Sequence, residues 1–154
     1  MSPTDLTDTG YALYEYKDKP TPEWNQKVIE APMMLNANGI YEQKWSIVDL
    51  EGVELATATT IKIEGIKNSI IQTEQQQQDA FARTRGYDDI KSATGYTGCD
   101  VPKFDAEGIY CKNIRAQRWA ALYTIMEQVI ACTRPMPNSH SEIESELPAM
   151  VWPA

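Results

Sequence analysis

The sequence predicts an α+β protein, in which a small N-terminal antiparallel β unit is followed by a long-helix hairpin with a short C-terminal helix. Two observations support this prediction. Before residue 50, aromatic and aliphatic residues alternate with polar ones, a pattern typical of strands. After residue 50, apolar residues recur at spacings of three and four, a pattern typical of helices. We therefore predict two parts, a β meander over residues 1–50 and a helical domain over residues 51–154.

Three segments of the β unit are predicted strands. They are Tyr11–Tyr16, Gln26–Met34 and Ile40–Asp49. Pro32 restricts the second strand to an edge of the sheet or to its own end, because proline has no N–H to donate. The segment Asn36–Gly39 predicts a tight turn between the second and third strands, because Asn and Gly tolerate positive φ.

The first long helix is predicted over Glu54–Thr84, where there is no proline. Its apolar and small residues follow the alternating three-and-four spacing of a coiled-coil seam. The run Gln75–Gln78 is polar on every side, which predicts a solvated stretch. The seam either packs within its own domain or pairs with another chain. Its aliphatic members are Ile63, Ile66 and Ile70.

Gly86 is predicted to end this helix, as glycines at helix C-termini do. A short helical piece follows over Asp88–Thr94. The second long helix begins at Val101–Pro102, with proline in its first turn, and runs to about Cys132. Its apolar stripe is widened by three further residues, so that its last three turns are expected to be well buried. These residues are Trp119, Tyr123 and Ile130.

The C-terminal region is predicted to hold one more short helix and an apolar strap. The segment Ser139–Glu142 has the composition of a capping box, and Pro148 ends the helix. Residues 148–153 are apolar and bounded by prolines, so we expect them to fold back over a core. Trp119 and Trp152 are candidate core anchors of the helical domain, and Arg118 lies on the inner stripe of the second long helix.

Composition and charge exclude several function classes. The 154 residues carry a formal net charge of −8, which disfavours binding to nucleic acid or to an anionic membrane surface. No apolar run approaches the roughly 20 residues that span a bilayer. Met1–Gly10 lacks the basic region of a secretory signal, so we expect the protein to stay in the cytoplasm where it is made. The three cysteines contain no CxxC pair and predict neither a disulfide framework nor a zinc site.

The sequence contains little that indicates catalysis. Its one histidine, His140, lies in a polar loop and is expected to be hydrogen-bonded or solvated. The acidic pairs Asp88/Asp89 and Asp105/Glu107 are expected to complement helix dipoles. No P-loop, GxGxxG or HExxH pattern is present. We therefore predict a protein that is not an enzyme and needs no cofactor or metal; a cell-wall hydrolase is the least favoured class.

Five segments together resemble a known group of proteins. A glycine turn leads into a Gln-x-Trp strand and an aliphatic-Asp-Leu phrase over residues 39–50, and the other four segments are 80–93, 103–108, 115–119 and 146–153. Their order and spacing resemble tailed-phage tail-fibre assembly chaperones and small accessory tail proteins. The chain departs from the pattern at Gly52 and at the Thr-rich residues 57–60, where an acidic helix start usually follows.

The resemblance implies a protein that binds the tail fibre or another tail protein and acts in the host cytoplasm during assembly. The alternative is a permanent virion component of the baseplate or fibre tip, located in the virion tail. Self-association is also expected, with a trimer favoured, because the fibre is trimeric in this group and the seam could pair.

The partner-binding residues are predicted from the small size of the β unit. A three-stranded meander is barely stable by itself, and its open edge could accept a strand from another chain. Tyrosine and tryptophan are the residues that most often anchor protein interfaces. The alternative is that the aromatic residues fold inward on the helices. The predicted contacts are Tyr14, Tyr16, Trp24, Tyr41 and Trp45 of the β unit and the seam residues Ile63, Ile66 and Ile70.

Overall fold

The computed structural model describes residues 14–153 and is α+β, as predicted. Met1–Gly10 and the start of the predicted first strand lie outside the described residues. The strands are β1 (Tyr14–Glu15), β2 (Gln26–Leu35) and β3 (Tyr41–Asp49), and the helices are α1 (Gly52–Arg83), α2 (Ile90–Thr94) and α3 (Pro102–Ile130). Two 3₁₀ turns follow, at His140–Glu142 and Glu144–Glu146.

The chain divides into two compact units within α1, between Lys62 and Ile63, whereas the sequence placed the boundary at residue 50. The first turns of α1 belong with the sheet because they contact it. Lys27 of β2 forms an ion pair with Glu54, and the Lys62 ammonium lies 4.0 Å from the centroid of the Trp24 ring. We refer to these parts as the sheet unit (1–62) and the helical unit (63–154).

The hairpin of β2 and β3 forms where the sequence predicts it. Asn36 Oδ1 accepts hydrogen bonds from the N–H groups of Asn38 (2.9 Å) and Ile40 (3.1 Å). Gly39 has a φ of 74°, the left-handed conformation that the turn requires. The antiparallel register shifts between Ala31 and Met34, because Pro32 in this interval cannot donate to the ladder and a bulge forms.

The antiparallel meander needs a correction at its first strand. The sheet order is β1-β3-β2, and β1 pairs with β3 in parallel, with Tyr14 opposite Tyr41. The tight turn holds β3 directly beside β2, and β1 pairs with the other edge of β3, while the outer edge of β2, which contains Pro32, stays unpaired in this sheet. The connection that contains Pro20 and Pro22 carries the chain from β1 to the start of β2, and β2 is an edge strand as Pro32 predicts.

Within the helical unit, α1 and α3 form the predicted hairpin. Glu74 of α1 contacts Arg118 and, just beyond the end of α1, Arg85 contacts Glu107, so the two helices run antiparallel. Their apolar core has two clusters. One contains Ile70, Leu122, Ile125, Ile143 and Leu147, and the other contains Ala82, Ile90, Ala93 and Cys111. Trp119 packs against the first cluster but is only partly buried.

Gly108 of α3 permits a close approach that the sequence did not indicate. A Cβ atom at this position would lie 2.7 Å from the Thr97 nitrogen and 3.0 Å from the Tyr96 carbonyl carbon. Both are backbone atoms, so a larger residue would force the chain after α2 away from α3. The hydrogen at Gly108 therefore sets the packing distance between α3 and this turn.

Two expectations for the helices are wrong. The glutamine-rich stretch of α1 is not solvated, since Glu74 and Gln78 are completely buried; the inner face of α1 continues beyond Ile70 at a spacing of four residues. The last turns of α3 are not well buried either, since 67% of Tyr123 and 81% of Ile130 are exposed.

The predicted last helix is replaced by the two 3₁₀ turns, and Ser139 makes no capping hydrogen bond. Glu142 instead accepts hydrogen bonds from the Asn138 backbone N–H (2.9 Å) and side-chain amide (3.2 Å). This carboxylate therefore caps the turn one residue earlier than predicted.

The C-terminal strap folds back over the helical unit, as predicted. The Trp152 ring stacks on Phe81 with centroids 4.3 Å apart, and its indole N–H donates to Thr84 Oγ1 at 2.8 Å. The Val151 N–H donates to the Tyr110 hydroxyl at 2.7 Å. The strap is thus fixed to both α1 and α3.

Candidate functional site

One face of the sheet carries a row of apolar side chains. Residues that pair directly on neighbouring strands share a face, and so do alternate residues of one strand. This places five apolar residues on one face, which we call the aromatic face: Tyr14, Leu35, Tyr41, Trp45 and Ile47. The face also carries Gln43, which lies between Tyr41 and Trp45 and donates to Glu30 at 2.6 Å. The rings of Tyr14 and Tyr41 stack with centroids 5.6 Å apart, and Tyr16 lies beside Tyr14 at 6.5 Å.

The aromatic face is open to solvent. About half of Tyr14 (53%) and Ile47 (46%) is exposed, and so is 60% of Leu35. No residue between 14 and 62 is buried. Within the described residues, the sheet unit therefore has no interior of its own, and its apolar side chains are available to a partner.

Two of the predicted contact residues are held by local interactions. Trp45 is partly buried, and its indole N–H donates to the Lys17 carbonyl oxygen at 3.0 Å. Trp24 lies in the connection before β2 rather than on the sheet, with 47% of its surface exposed and the Lys62 ammonium over its ring. The predicted group is therefore divided, because Tyr14, Tyr16, Tyr41 and Trp45 gather at the sheet and Trp24 does not.

The seam residues of α1 behave differently from one another. Ile70 is 1% exposed and belongs to the core of its own chain, so its predicted role as a partner contact is wrong. Ile66 is partly buried against the same core. Ile63 remains 43% exposed and is the one aliphatic seam residue still accessible. The α1 seam therefore packs mainly within its own chain.

A buried carboxylate lies between α1, α3 and the C-terminal region. Glu74 Oε1 accepts from Arg118 Nε (2.7 Å) and Gln78 Nε2 (2.6 Å), and Oε2 accepts from Arg118 Nη2 (2.8 Å) and His140 Nε2 (2.8 Å). An ionised carboxylate only accepts, so His140 Nε2 is the donor in its contact with Glu74. Arg118 Nη1 also donates to the Pro148 carbonyl oxygen at 2.7 Å. We call this group the Glu74 cluster.

The Glu74 carboxylate is saturated, whereas Gln78 Oε1 and His140 Nδ1 of the same cluster have no partner among the described residues. Each carboxylate oxygen accepts two hydrogen bonds, which is its full capacity. Burial alone would raise the pKa of Glu74, but the hydrogen bonds from Arg118, Gln78 and His140 outweigh burial and hold the pKa below its usual value. The carboxylate has no acceptor position left for a substrate, so the arrangement is suited to fixing the C-terminal region on the helix pair. The sequence predicted that His140 would be either hydrogen-bonded or solvated. In the structure His140 is hydrogen-bonded, and it is buried rather than solvated.

A second polar group joins the end of α1 to α3. Glu107 accepts from Arg85 Nη1 (2.6 Å) and from the Tyr87 hydroxyl (2.7 Å). Burial, together with the Glu107 carboxylate, raises the pKa of Tyr87 and raises the pKa of the Cys111 thiol to about 11. Cys111 is therefore a protonated thiol at neutral pH, and a protonated thiol is a poor nucleophile.

Two more of the acidic residues that the sequence singled out, Asp89 and Asp105, also have structural partners. Asp89 caps α2 by accepting from the Ser92 N–H at 2.6 Å, and Asp105 accepts from the Gly98 N–H at 2.6 Å. Over residues 14–153, no three His, Cys, Asp or Glu side chains gather as metal ligands. The same part of the chain has no helix that is both long and apolar enough to cross a membrane.

Comparisons with protein-family models, curated proteins and solved structures give no match to this chain.

Proposed function

We propose that this chain is a tail-fibre assembly chaperone of a tailed phage, or an accessory protein associated with the fibre, and that it binds the fibre through the aromatic face. The observation that carries the proposal is the sheet unit in which no described residue is buried while Tyr14, Leu35, Tyr41 and Ile47 are exposed on the aromatic face. The opposite face exposes Ile29 and Met34 but no aromatic ring that pairs in the sheet. The resemblance of residues 39–153 to phage tail proteins supports the choice of partner.

The proposal assigns different tasks to the two units. The helical unit has a core and two buried polar clusters, so it supplies stability. The sheet unit gains most from a partner, because burying its exposed apolar surface is favourable at about 25 cal/mol per Å². On this proposal the protein has no catalytic role and acts in the host cytoplasm during assembly.

The test uses two substitutions on neighbouring positions of β3. Ile47→Lys places a charge on the aromatic face, and Ser46→Lys places the same charge on the opposite face of the same strand. Both variants would be co-expressed with the fibre protein encoded beside this gene, and binding would be measured by pull-down and titration. We expect Ile47→Lys to weaken binding at least about tenfold, or 1.4 kcal/mol, and Ser46→Lys to leave it nearly unchanged.

Equal binding by the two variants would contradict the assignment of the aromatic face. Deleting residues 1–50 should also abolish binding, and undiminished capture by the folded remainder would move the interface to the helices. Mass spectrometry of purified phage particles tests the role. A chaperone is absent from them, whereas a permanent component of the baseplate or fibre tip is present in the virion tail.

A further inference from the structure

The helical unit has a groove between α1 and α3 that the proposed fibre contact does not use. Its volume is about 580 Å³, and α1 contributes Lys67 and Ile71 to its wall. The rest of the lining comes from one flank of α3: Arg115, Ala116, Trp119, Leu122, Tyr123, Met126, Glu127 and Ile130. The groove is thus mainly apolar, with a basic residue and an acidic residue of α3 at different levels.

The side chains along this groove are not satisfied within the chain. Tyr123 and Ile130 are the two most exposed large apolar residues of α3. Arg115 Nε and Trp119 Nε1 are shielded from solvent, yet neither has an acceptor among the described residues. The exposed Tyr123 and Ile130 side chains are the part of this flank that a second molecule would bury.

The charges on α3 indicate what kind of second molecule fits this groove. Arg115 and Glu127 are equidistant along the helix from Ala121, and neither forms an ion pair within the described part of the chain. A two-fold axis at the level of Ala121 therefore brings Arg115 of one copy to the level of Glu127 of the other, twice in each dimer. A surface of this kind is complementary to itself, as a two-fold interface requires.

The apolar residues have the same symmetry. Trp119 and Tyr123 are also equidistant from Ala121, as are Ala116 and Met126. The same axis thus places the Trp119 ring of one copy level with the Tyr123 ring of the other, and Ala116 level with Met126. Small-against-large pairing lets two helices interdigitate.

We propose that two copies of this chain pair antiparallel along the outer flank of α3, with each Arg115 meeting the Glu127 of the other copy. The pairing buries Tyr123 and Ile130, and it closes as a dimer. It stands apart from fibre binding, which uses the sheet unit, and it replaces the trimer that the α1 seam predicts, because Ile70 of that seam is buried in its own core.

Charge reversal in the full-length protein tests the pairing. Arg115→Glu and Glu127→Arg each turn both ion pairs of the dimer into repulsive contacts. An equimolar mixture of the two variants restores both attractive pairs in a dimer that contains one of each. Gln117→Glu and Gln128→Arg are the matched controls, because they make charge changes of the same sign at exposed positions of α3 outside the groove.

Sedimentation equilibrium over a range of concentrations measures the dimer dissociation constant. We expect the unmodified chain to reach twice its 17.4 kDa mass, each single charge reversal to raise the constant at least about tenfold, and the mixture to recover it. Circular dichroism melting confirms that each variant is folded. A monomer or trimer as the largest species of the unmodified chain overturns the proposal, and so does a mixture that associates no better than its components.

Discussion

Arg118 and Glu74 are joined by two hydrogen bonds in the interior of the helical unit, Nε to Oε1 at 2.7 Å and Nη2 to Oε2 at 2.8 Å. The two side chains are 4% and 0% exposed. A buried guanidinium and carboxylate with this geometry neutralise each other, and the removal of either leaves a buried charge without its counterion.

The first prediction concerns this pair. Arg118→Met should lower the free energy of unfolding by about 3–5 kcal/mol, because the Glu74 carboxylate would remain buried and lose its main partner. Urea unfolding followed by circular dichroism measures the change. Arg134→Met is the control, since it breaks the exposed ion pair with Glu146 and should cost much less. A similar loss in both variants would show that burial does not set the cost of breaking the ion pair.

The acid limb of the stability curve should depend on Glu74. Its pKa is below the usual value in the folded chain, so it contributes stability above the unfolded-state pKa of about 4.3. That contribution is lost as the pH falls from this value through the folded-state pKa. Glu74→Gln should therefore be less stable at neutral pH and should lose less stability on acidification. The check is urea unfolding at a series of pH values from 7 to 3; parallel curves for the two proteins would contradict the prediction.

Gly108 should tolerate no side chain without a cost. Gly108→Ala places a methyl group within 3.0 Å of two backbone atoms near Thr97, and we expect a loss of about 1–3 kcal/mol from overpacking. Gly65→Ala is the matched control, because Gly65 is also within a helix but has no atom within 4 Å of the added carbon. The free energy of unfolding of Gly65→Ala should rise by up to about 1 kcal/mol, because alanine has the higher helix propensity. Thermal melts of both variants test the opposite signs, and a gain in both would argue against the close approach.

The strap should stabilise the helical unit through one ring. Trp152 stacks on Phe81 and lies 5.2 Å from the Arg85 guanidinium. Trp152→Ala should lower the free energy of unfolding by up to about 3 kcal/mol. This is the lower end of the range for truncating a large aromatic residue, because the Trp152 ring is only partly buried. Trp24→Ala removes an exposed ring and should change stability little. The measurement is guanidinium unfolding, and an unchanged midpoint for Trp152→Ala would mean that the strap is not held there.

Local signals in the sequence were sufficient for the element order. The turn Asn36–Gly39, the proline at the start of α3 and the glycine after α1 each depend on the conformation of one to four residues. The inward position of Arg118 followed from the apolar stripe of its own helix. These features were predicted because the residues that determine them are neighbours in the chain.

The polar interior was not predictable in the same way. Glu74 and Arg118 are 44 residues apart in sequence, and His140 is 66 residues from Glu74. A glutamine-rich stretch is normally solvated, and only a partner from another element makes the burial of Glu74 favourable. An arginine on the apolar stripe of its helix, with no acidic residue within four positions, was the one available signal. The parallel pairing of β1 with β3 also joins residues that are far apart in sequence, so it was not predictable from local signals either.

Arg118 binds the Pro148 carbonyl oxygen, and this contact determines how late in synthesis the helical unit can finish folding. A chain emerges from the ribosome N-terminus first, so β1, β2 and β3 are exposed before α3 exists. The charge at Glu74 stays without its full set of partners until residues 140–148 have been synthesised. The sheet unit is therefore presented to the cell while the helical unit is still incomplete, and a binding partner could meet a nascent chain before its folding is finished.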